Sequence, residues 1–384
     1  MPIYLDNAAS SHPKPESVYQ AVNQVLREVG ANPGRAGHKL AMKAGRRIAQ
    51  TRQALAELFD IQDPERIVFT SNATEAINLG LKGLLNPGDH VITSSMEHNS
   101  VIRPLRFLET RGIELTIVPG NAQGQLQVTV IEKAIRKQTR LIVITHASNV
   151  TGGFMPIEEI AELATKHGLR FMVDASQTAG LVPLSVAKVG IDLLAAPGHK
   201  GLMGPQGTGF LYMGPEISLR PLLQGGTGSQ SELEIQPDFL PDRMESGTLN
   251  TPGLAGLGAG VRFILDQGLD RIREKEMHLA QMLWDGLIKI PQVLIYGPNN
   301  PKDRTAVVSF TISSLNPQAT DSILDVAYDM AVRAGLHCAA LAHRTIKTFP
   351  EGTVRVSPGF FNTEKEIEAF LKAIREISKK VSSV

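Results

Sequence analysis

Between Arg170 and Gly209 the chain reads RFMVDASQTAG, then the short apolar run DLLAA, then PGHKGLMGPQGTG. An apolar strand over Leu169–Val173 ends on an acid, Asp174, with Gln177 three residues later. Lys200 then follows Gly198 and His199 and leads into a Gly-rich turn. This order constrains chemistry as well as fold. An acid at a strand end and a lysine among small residues are what pyridoxal phosphate requires. The amine joins the cofactor aldehyde as a Schiff base, and the carboxylate keeps the pyridine nitrogen protonated so that the ring can take up electrons. The plain alternative is an ordinary strand-to-helix connection with a surface lysine.

The rest of the first two-thirds repeats the same alternation. Apolar runs at Arg66–Thr70, His90–Ser94, Glu114–Val118, Arg140–Thr145, Leu169–Val173, Asp192–Ala195 and Gly209–Met213 read as strands. Amphipathic stretches at Ala76–Leu85, Val101–Arg111, Val128–Ile135 and Ile157–His167 read as helices between them. Strands with little polar alternation, separated by helices, predict an α/β fold with a mainly parallel sheet covered on both faces. Such sheets bind ligands beyond the carboxyl ends of their strands. Thr74, His98, Asn149, Asp174 and His199 all fall there.

A stretch rich in Gly, Pro, Ser and Thr, Gly225–Pro252, marks a change. Beyond it the pattern predicts helices at Leu254–Leu265, Gly268–Ile288, Asp321–Ala334 and Glu364–Lys380. Short strands are expected near Val293–Tyr296, Ala306–Thr311 and Val354–Ser357. The expected organisation is a large α/β domain over 16–255 and a smaller α+β domain made of 1–15 and 256–384. The helix Glu16–Val29 is free to pack on either.

At 384 residues the chain suits two domains better than one. A formal net charge of +1 offers no electrostatic attraction to nucleic acid or to an acidic membrane. No apolar run approaches bilayer length, and the N-terminus MPIYLDNAASSHPKP lacks a signal-peptide pattern. The single cysteine, Cys338, rules out an internal disulfide and a multi-cysteine metal site. The expected setting is a reducing cytoplasm, and no metal is expected.

Several segments carry residues suited to chemistry, each with an ordinary alternative. TSNATE follows a strand and opens a helix, so Thr74 and free N–H groups could take a phosphate; N-capping alone would explain it. His98 in MEHNS could lie over a flat ring and relay protons, or simply cap the next helix. Asn149 in HASNVTG could bond a phenolic oxygen, or serve a turn. Cys338 follows His337, lies five residues after Arg333 and has small neighbours, a setting that favours thiolate; a lone cysteine is also often a small buried hydrophobe. Arg355 in TVRVSPGFF is either a solvated strand residue or a clamp for a carboxylate. Asn32, Arg35 and His38 form a polar cluster, or a turn before a helix.

Taken in order, YLDNAASSHPKP, ANPGRAGHKL, TSNATEAINL, MEHNS, HASNVTG, VDASQTAG, GHKGLMGPQGTG, ESGTLNT, RAGLHCA and VRVSPGFFNT resemble the class V aminotransferase superfamily, and within it the cysteine desulfurase and selenocysteine lyase branch. The resemblance implies pyridoxal phosphate as cofactor, fold type I with a large and a small domain, and a homodimer. It implies Lys200 as the Schiff-base lysine, Asp174 on the ring nitrogen, and His98 stacked on the ring. Gln177 and Asn149 would hold the phenolic oxygen. Thr74 and His199, with Thr248 from the partner subunit, would bind phosphate. Arg355 would clamp the substrate carboxylate of L-cysteine, and Cys338 would accept sulfur as a persulfide, leaving L-alanine. Arg333 would place the cysteine loop, while Asn32, Arg35 and His38 would line the substrate entrance. A sulfur-acceptor protein, as in iron–sulfur cluster assembly, would be the partner.

Two positions depart from that pattern. The family carries Ser or Thr two residues before the histidine that precedes the lysine; here it is Pro197, which offers neither hydroxyl nor N–H. One group of desulfurases reads His-His-Cys-Ala-Gln-Pro at the cysteine, where this chain reads Leu336-His337-Cys338-Ala339-Ala340-Leu341. The rival activities are a selenocysteine lyase and a C–S lyase that eliminates sulfur without a persulfide. A sulfur-trafficking or scaffold protein with little turnover is the non-enzyme rival.

Overall fold

The computed structural model describes residues 2–33 and 37–381. The chain opens with a short strand, β1 (Ile3–Tyr4), and then builds a seven-stranded sheet. Its strands are β2 (Ile67–Thr70), β3 (His90–Ser94), β4 (Glu114–Val118), β5 (Thr139–Thr145), β6 (Arg170–Asp174), β7 (Leu193–Pro197) and β8 (Gly209–Met213). They lie in the order β2-β8-β7-β6-β5-β3-β4. Only β8 runs against its neighbours; the other contacts are parallel. Each of the seven expected strands is present to within two residues.

The near-continuous apolar runs have a direct cause. Side chains alternate between faces along a strand, and both faces are covered. Ile142 and Ile144, Phe171 and Val173, and Leu194 and Ala196 join one buried cluster, with residues of helices Lys39–Phe59, Ile157–Lys166 and Thr251–Gln267. Leu141 and Val143, Met172, and Leu193 and Ala195 join another, against helices Ala73–Leu84 and Asn99–Glu109.

Helix Thr251–Gln267 crosses the expected boundary between 255 and 256 and packs on helices Glu16–Gln24 and Lys39–Phe59. Its glycines allow the close approach. A Cβ on Gly260 would fall 2.5 Å from the Leu202 carbonyl oxygen. The expected N-terminal helix is α-helical over Glu16–Gln24 and continues as a π-helical turn over Val25–Val29.

The C-terminal part forms a four-stranded antiparallel sheet from β9 (Val293–Tyr296), β10 (Val308–Ile312), β12 (Arg333–Gly335) and β13 (Thr353–Val356), in the order β12-β13-β10-β9, while β11 (Met330–Ala331) pairs with β1. Helices Leu269–Leu287 and Glu364–Val381 cover it through Leu283, Trp284, Phe370 and Ile374. Leu5 is fully buried in the same cluster.

The expected helix Asp321–Ala334 is corrected here. The helix runs Pro317–Tyr328 and stops at Asp329, which adopts the left-handed conformation (φ 54°, ψ 46°). The chain then extends to pair β11 with β1 and β12 with β13. Pairing with a strand from the far end of the chain overrides local helical periodicity.

A buried ion pair ties helix Lys39–Phe59 and the loop carrying Glu245 to strand β2. Arg52 lies 4.4 Å from the Phe69 ring centroid and makes two 2.9 Å bonds to Glu245, whose Oε1 also accepts from the Phe69 N–H at 2.7 Å. Glu245→Ala strands the guanidinium in the core and is expected to cost about 3–5 kcal/mol. The urea midpoint should fall accordingly, and an unchanged midpoint would contradict this account.

Candidate active site

Strands β2, β3, β5, β6 and β7 point the same way, so their carboxyl ends finish along one edge. Thr74, His98, Asn149, Asp174 and His199–Lys200 follow or occupy those ends. Together with Asn72, Ser100, Gln177 and Pro197 they line one cleft. Among parallel strands, this edge is where ligands bind.

Lys200 is held by its backbone. Ser11 Oγ donates to the Lys200 carbonyl at 2.9 Å, while the Ser11 N–H (3.0 Å) and Lys14 Nζ (2.8 Å) donate to the His199 carbonyl. The Lys200 amine itself has no hydrogen-bond or ion-pair partner among the described residues. Burial lowers its pKa from 10.5 to about 8, opposed by Asp174 and helped by Arg355 and Arg333. The Lys200 side chain is half-buried and lines the cleft, so it is not a freely exposed surface lysine. Asp174 is buried and closes β6, and its Oδ1 accepts from the Ser176 N–H at 2.9 Å and from the Ser176 hydroxyl.

The His98 Nδ1 caps helix Asn99–Glu109 by accepting from the Ser100 N–H at 3.0 Å, and the ring also lines the cleft. Burial, then the Lys200 charge, lowers its pKa to about 4, so the ring is neutral near pH 7. Beneath it, Glu97 was not singled out in the sequence. Its carboxyl accepts from Ser94 Oγ (2.5 Å) and the Thr145 N–H (2.9 Å), joining the ends of β3 and β5. Burial raises its pKa to about 8.

Thr74 is exposed in the first turn of helix Ala73–Leu84, which Asn72 caps by accepting from the Glu75 N–H. The Gln177 amide donates to the Ala8 carbonyl (3.2 Å), and the Asn149 amide donates to the His337 carbonyl (2.7 Å).

Arg355 is 1% exposed, which excludes a solvated strand residue. Its Nη2 pairs with Asp6 at 2.6 Å, its Nη1 donates to the Asn149 carbonyl at 3.1 Å, and its buried Nε has no partner. Arg333 sits directly opposite it across β12 and β13. Like charges in that position repel, and the neighbouring Arg333 adds to burial in lowering the pKa of Arg355. Asp6 is the one carboxylate ion-paired to Arg355, and Arg333 has none among the described residues, so the pair offers a place for a further anion. Neither Asp6 nor this pairing was legible in the sequence, since 349 positions separate Asp6 from Arg355.

Cys338 is exposed rather than packed in a core. Arg333 Nη2 lies 3.8 Å from its sulfur. His337 (φ 47°) and Cys338 (φ 58°) are consecutive left-handed residues, a conformation that costs roughly 1–2 kcal/mol per residue without glycine. The Cys338 carbonyl accepts from the Asn99 N–H at 2.7 Å. His337 is buried, bonds Thr353 Oγ1 at 3.2 Å, and is held neutral, mainly by burial.

Other expected residues lie elsewhere. Thr248 lines a separate groove with Ser71, Glu75 and Asn250, and Asn32 donates to its hydroxyl at 3.4 Å. His38 caps helix Lys39–Phe59. Arg35 falls outside the described residues.

Comparison with known proteins is consistent with this geometry. Residues 3–370 match the Aminotransferase class-V family. The chain belongs to that family. A protein of Methanothermobacter thermautotrophicus named "Probable cysteine desulfurase" is 35% identical, covering 98% of this chain and 94% of its own. A cysteine desulfurase of Klebsiella pneumoniae is 34% identical over 98% of this chain and 93% of its own. The apo structure of a cysteine desulfurase from Thermococcus onnurineus NA1 superposes with a TM-score of 0.93 at 35% identity, covering 99% of this chain and 95% of that one. The fold is that of pyridoxal phosphate enzymes of fold type I, and the family depends on that cofactor.

The residues present fit the cofactor. An unpartnered amine, a strand-end carboxylate and a helix N-terminus share the cleft, and the buried Nδ1 of His199 has no partner. Pro197 ends β7 at the cleft wall and adds no donor.

Only a neutral amine condenses with an aldehyde. Loading of cofactor-free protein with pyridoxal phosphate, followed by visible absorbance, is therefore expected to speed up as pH rises and to level off near pH 8. Levelling near 10.5 would mean that burial does not tune Lys200.

Proposed function

We propose that this protein is a cysteine desulfurase, removing sulfur from L-cysteine to give L-alanine and a persulfide on Cys338. The observation that carries the reading is the joining of the Cys338 turn to the Lys200 cleft, through Asn149 and Asn99, beside the Arg333–Arg355 pair. Bound pyridoxal phosphate would supply the electron sink for bond breaking at the substrate's α-carbon.

The chain's own residues divide the remaining work. Lys200 would hold the cofactor through its amine and would move a proton at the substrate's α-carbon. Asp174 would hold the ring nitrogen protonated, and neutral His98 would face the ring. Asn149 and Gln177 would bond the phenolic oxygen, while Thr74 and His199 would donate to the phosphate. Arg355 takes the substrate carboxylate through the fork edge that bears its free Nε. Cys338 thiolate attacks the substrate sulfur. The carbon–sulfur bond breaks, a sulfur–sulfur bond forms, and His98 is placed to handle the proton on the substrate thiol.

We also propose a homodimer, with Thr248 reaching the partner's cleft and Asn32 and His38 lining a substrate entrance. Two features support this. Thr248, Asn32 and His38 do not line the cleft of their own chain, and Leu223, Ile235 and Phe239 are exposed nearby in sequence to Thr248. The two-domain division at 255–256 is retained as part of this proposal, with helix Thr251–Gln267 as the connection. A sulfur-acceptor protein and a cytoplasmic setting complete it; no helix among the described residues is long and apolar enough to cross a membrane.

Intact mass and peptide mapping after brief exposure to L-cysteine, without reductant, tests the reading. One added sulfur on the Cys338 peptide together with alanine is expected, and Cys338→Ala should lose both. Pyruvate and sulfide with Cys338 unmodified would replace this reading with an eliminating lyase.

A further inference from the structure

We infer that the Cys338 turn is held against the cleft by two specific hydrogen bonds, from the Asn149 side chain and from the Asn99 backbone, and that Asn149 and the start of helix Asn99–Glu109 are positioning elements for the thiol. The inference rests on the desulfurase reading for its functional consequence, although the tether itself does not.

The turn has reason to spring away. Two consecutive non-glycine residues, His337 and Cys338, sit at positive φ, and such strain persists only where the surroundings over-determine it. The surroundings here are few and identifiable. Asn149 Nδ2 donates to the His337 carbonyl at 2.7 Å, and the Asn99 N–H donates to the Cys338 carbonyl at 2.7 Å. One bond therefore anchors the carbonyl of each strained residue, beside the side-chain contacts of His337 with Thr353 and of Cys338 with Arg333. Within the turn, the Ala339 N–H bonds the Leu336 carbonyl at 2.8 Å, and Ala339 is fully buried.

One anchor lines the cleft, and the other lies between two residues that do, His98 and Ser100. Asn149 is 7% exposed, lines the cleft, and accepts from Arg355 through its carbonyl. Its amide has a second N–H beyond the one given to His337, so it can serve the turn and a cofactor oxygen together. Asn99 opens the helix that His98 caps. The thiol's place is thus set from the same two strand ends, after β3 and β5, that supply His98 and Asn149.

The backbone donor can be deleted cleanly. Asn99 is the first helical residue, where proline is well tolerated. His98, at φ −68° and ψ 156°, already has the extended conformation that a following proline demands. Asn99→Pro therefore removes the N–H to Cys338, whereas Asn99→Ala keeps it.

Hydrogen–deuterium exchange of the peptide carrying Ala339 in the two holoenzymes is the test. The Ala339 amide is expected to exchange about five-fold faster in Asn99→Pro than in Asn99→Ala, the effect of losing one ordinary hydrogen bond. kcat for alanine formation should fall, with KM for L-cysteine and cofactor absorbance unchanged. Equal exchange in the two variants overturns the tether, and faster exchange with equal kcat overturns its positioning role. Should Asn99→Pro fail to fold, Asn149→Ser is compared with wild type, both cofactor-free. Faster Ala339 exchange in Asn149→Ser is then the expected result, and equal exchange overturns the tether. A wild-type protein that forms no alanine would refute the desulfurase reading separately, since exchange does not depend on turnover.

Discussion

Burial of the seven-stranded sheet on both faces is the constraint from which the site follows. A strand covered on both sides must be apolar at nearly every position, and a slip of one residue would exchange its two faces. Phe171 and Val173 face one helical layer while Met172 faces the other. Register is therefore fixed, and so are the points at which β2, β3, β5, β6 and β7 end. The polar residues gather at those ends because the strand interiors have no room for them. The cleft is the place where an apolar sheet runs out.

Once the cleft is formed, desolvation tunes its groups. It lowers the pKa of Lys200 towards neutrality, holds His98 neutral and raises Glu97. The same burial brings Arg333 and Arg355 face to face, with Asp6 on Arg355 alone. Arg355 is buried and Arg333 half-buried, and a positive excess of this kind is relieved when an anion arrives, which is in keeping with the carboxylate-binding role proposed for Arg355. The N-terminal segment serves both sides of this arrangement. Asp6 faces Arg355, and Ser11 and Lys14 grip the peptide that joins His199 to Lys200.

Sequence patterns were most legible where local chemistry and tertiary demand agreed. The strands of the large sheet could be read because two-sided burial writes itself as apolar runs, and Asp174 and Lys200 stood out because their types are unusual in such positions. The patterns misled where a distant partner decided. The stretch Asp321–Ala334 has helical periodicity, yet its second half extends because β1 and β13 offer it edges. Glu97 lay within a motif already noted, but its burial between β3 and β5 is invisible until the strands are side by side.

By itself, then, the sequence determined the α/β alternation, the strand ends and the residue types placed there, because periodicity and termination are local properties of the chain. Only the tertiary structure decided that Cys338 is exposed on a strained turn, that Asn149 holds that turn, that Asp6 pairs with Arg355, and that Thr248 and Asn32 lie away from their own chain's cleft. These are contacts between residues far apart in sequence. Their existence depends on how layers stack and which edges meet, and neither is encoded in any short stretch of residues.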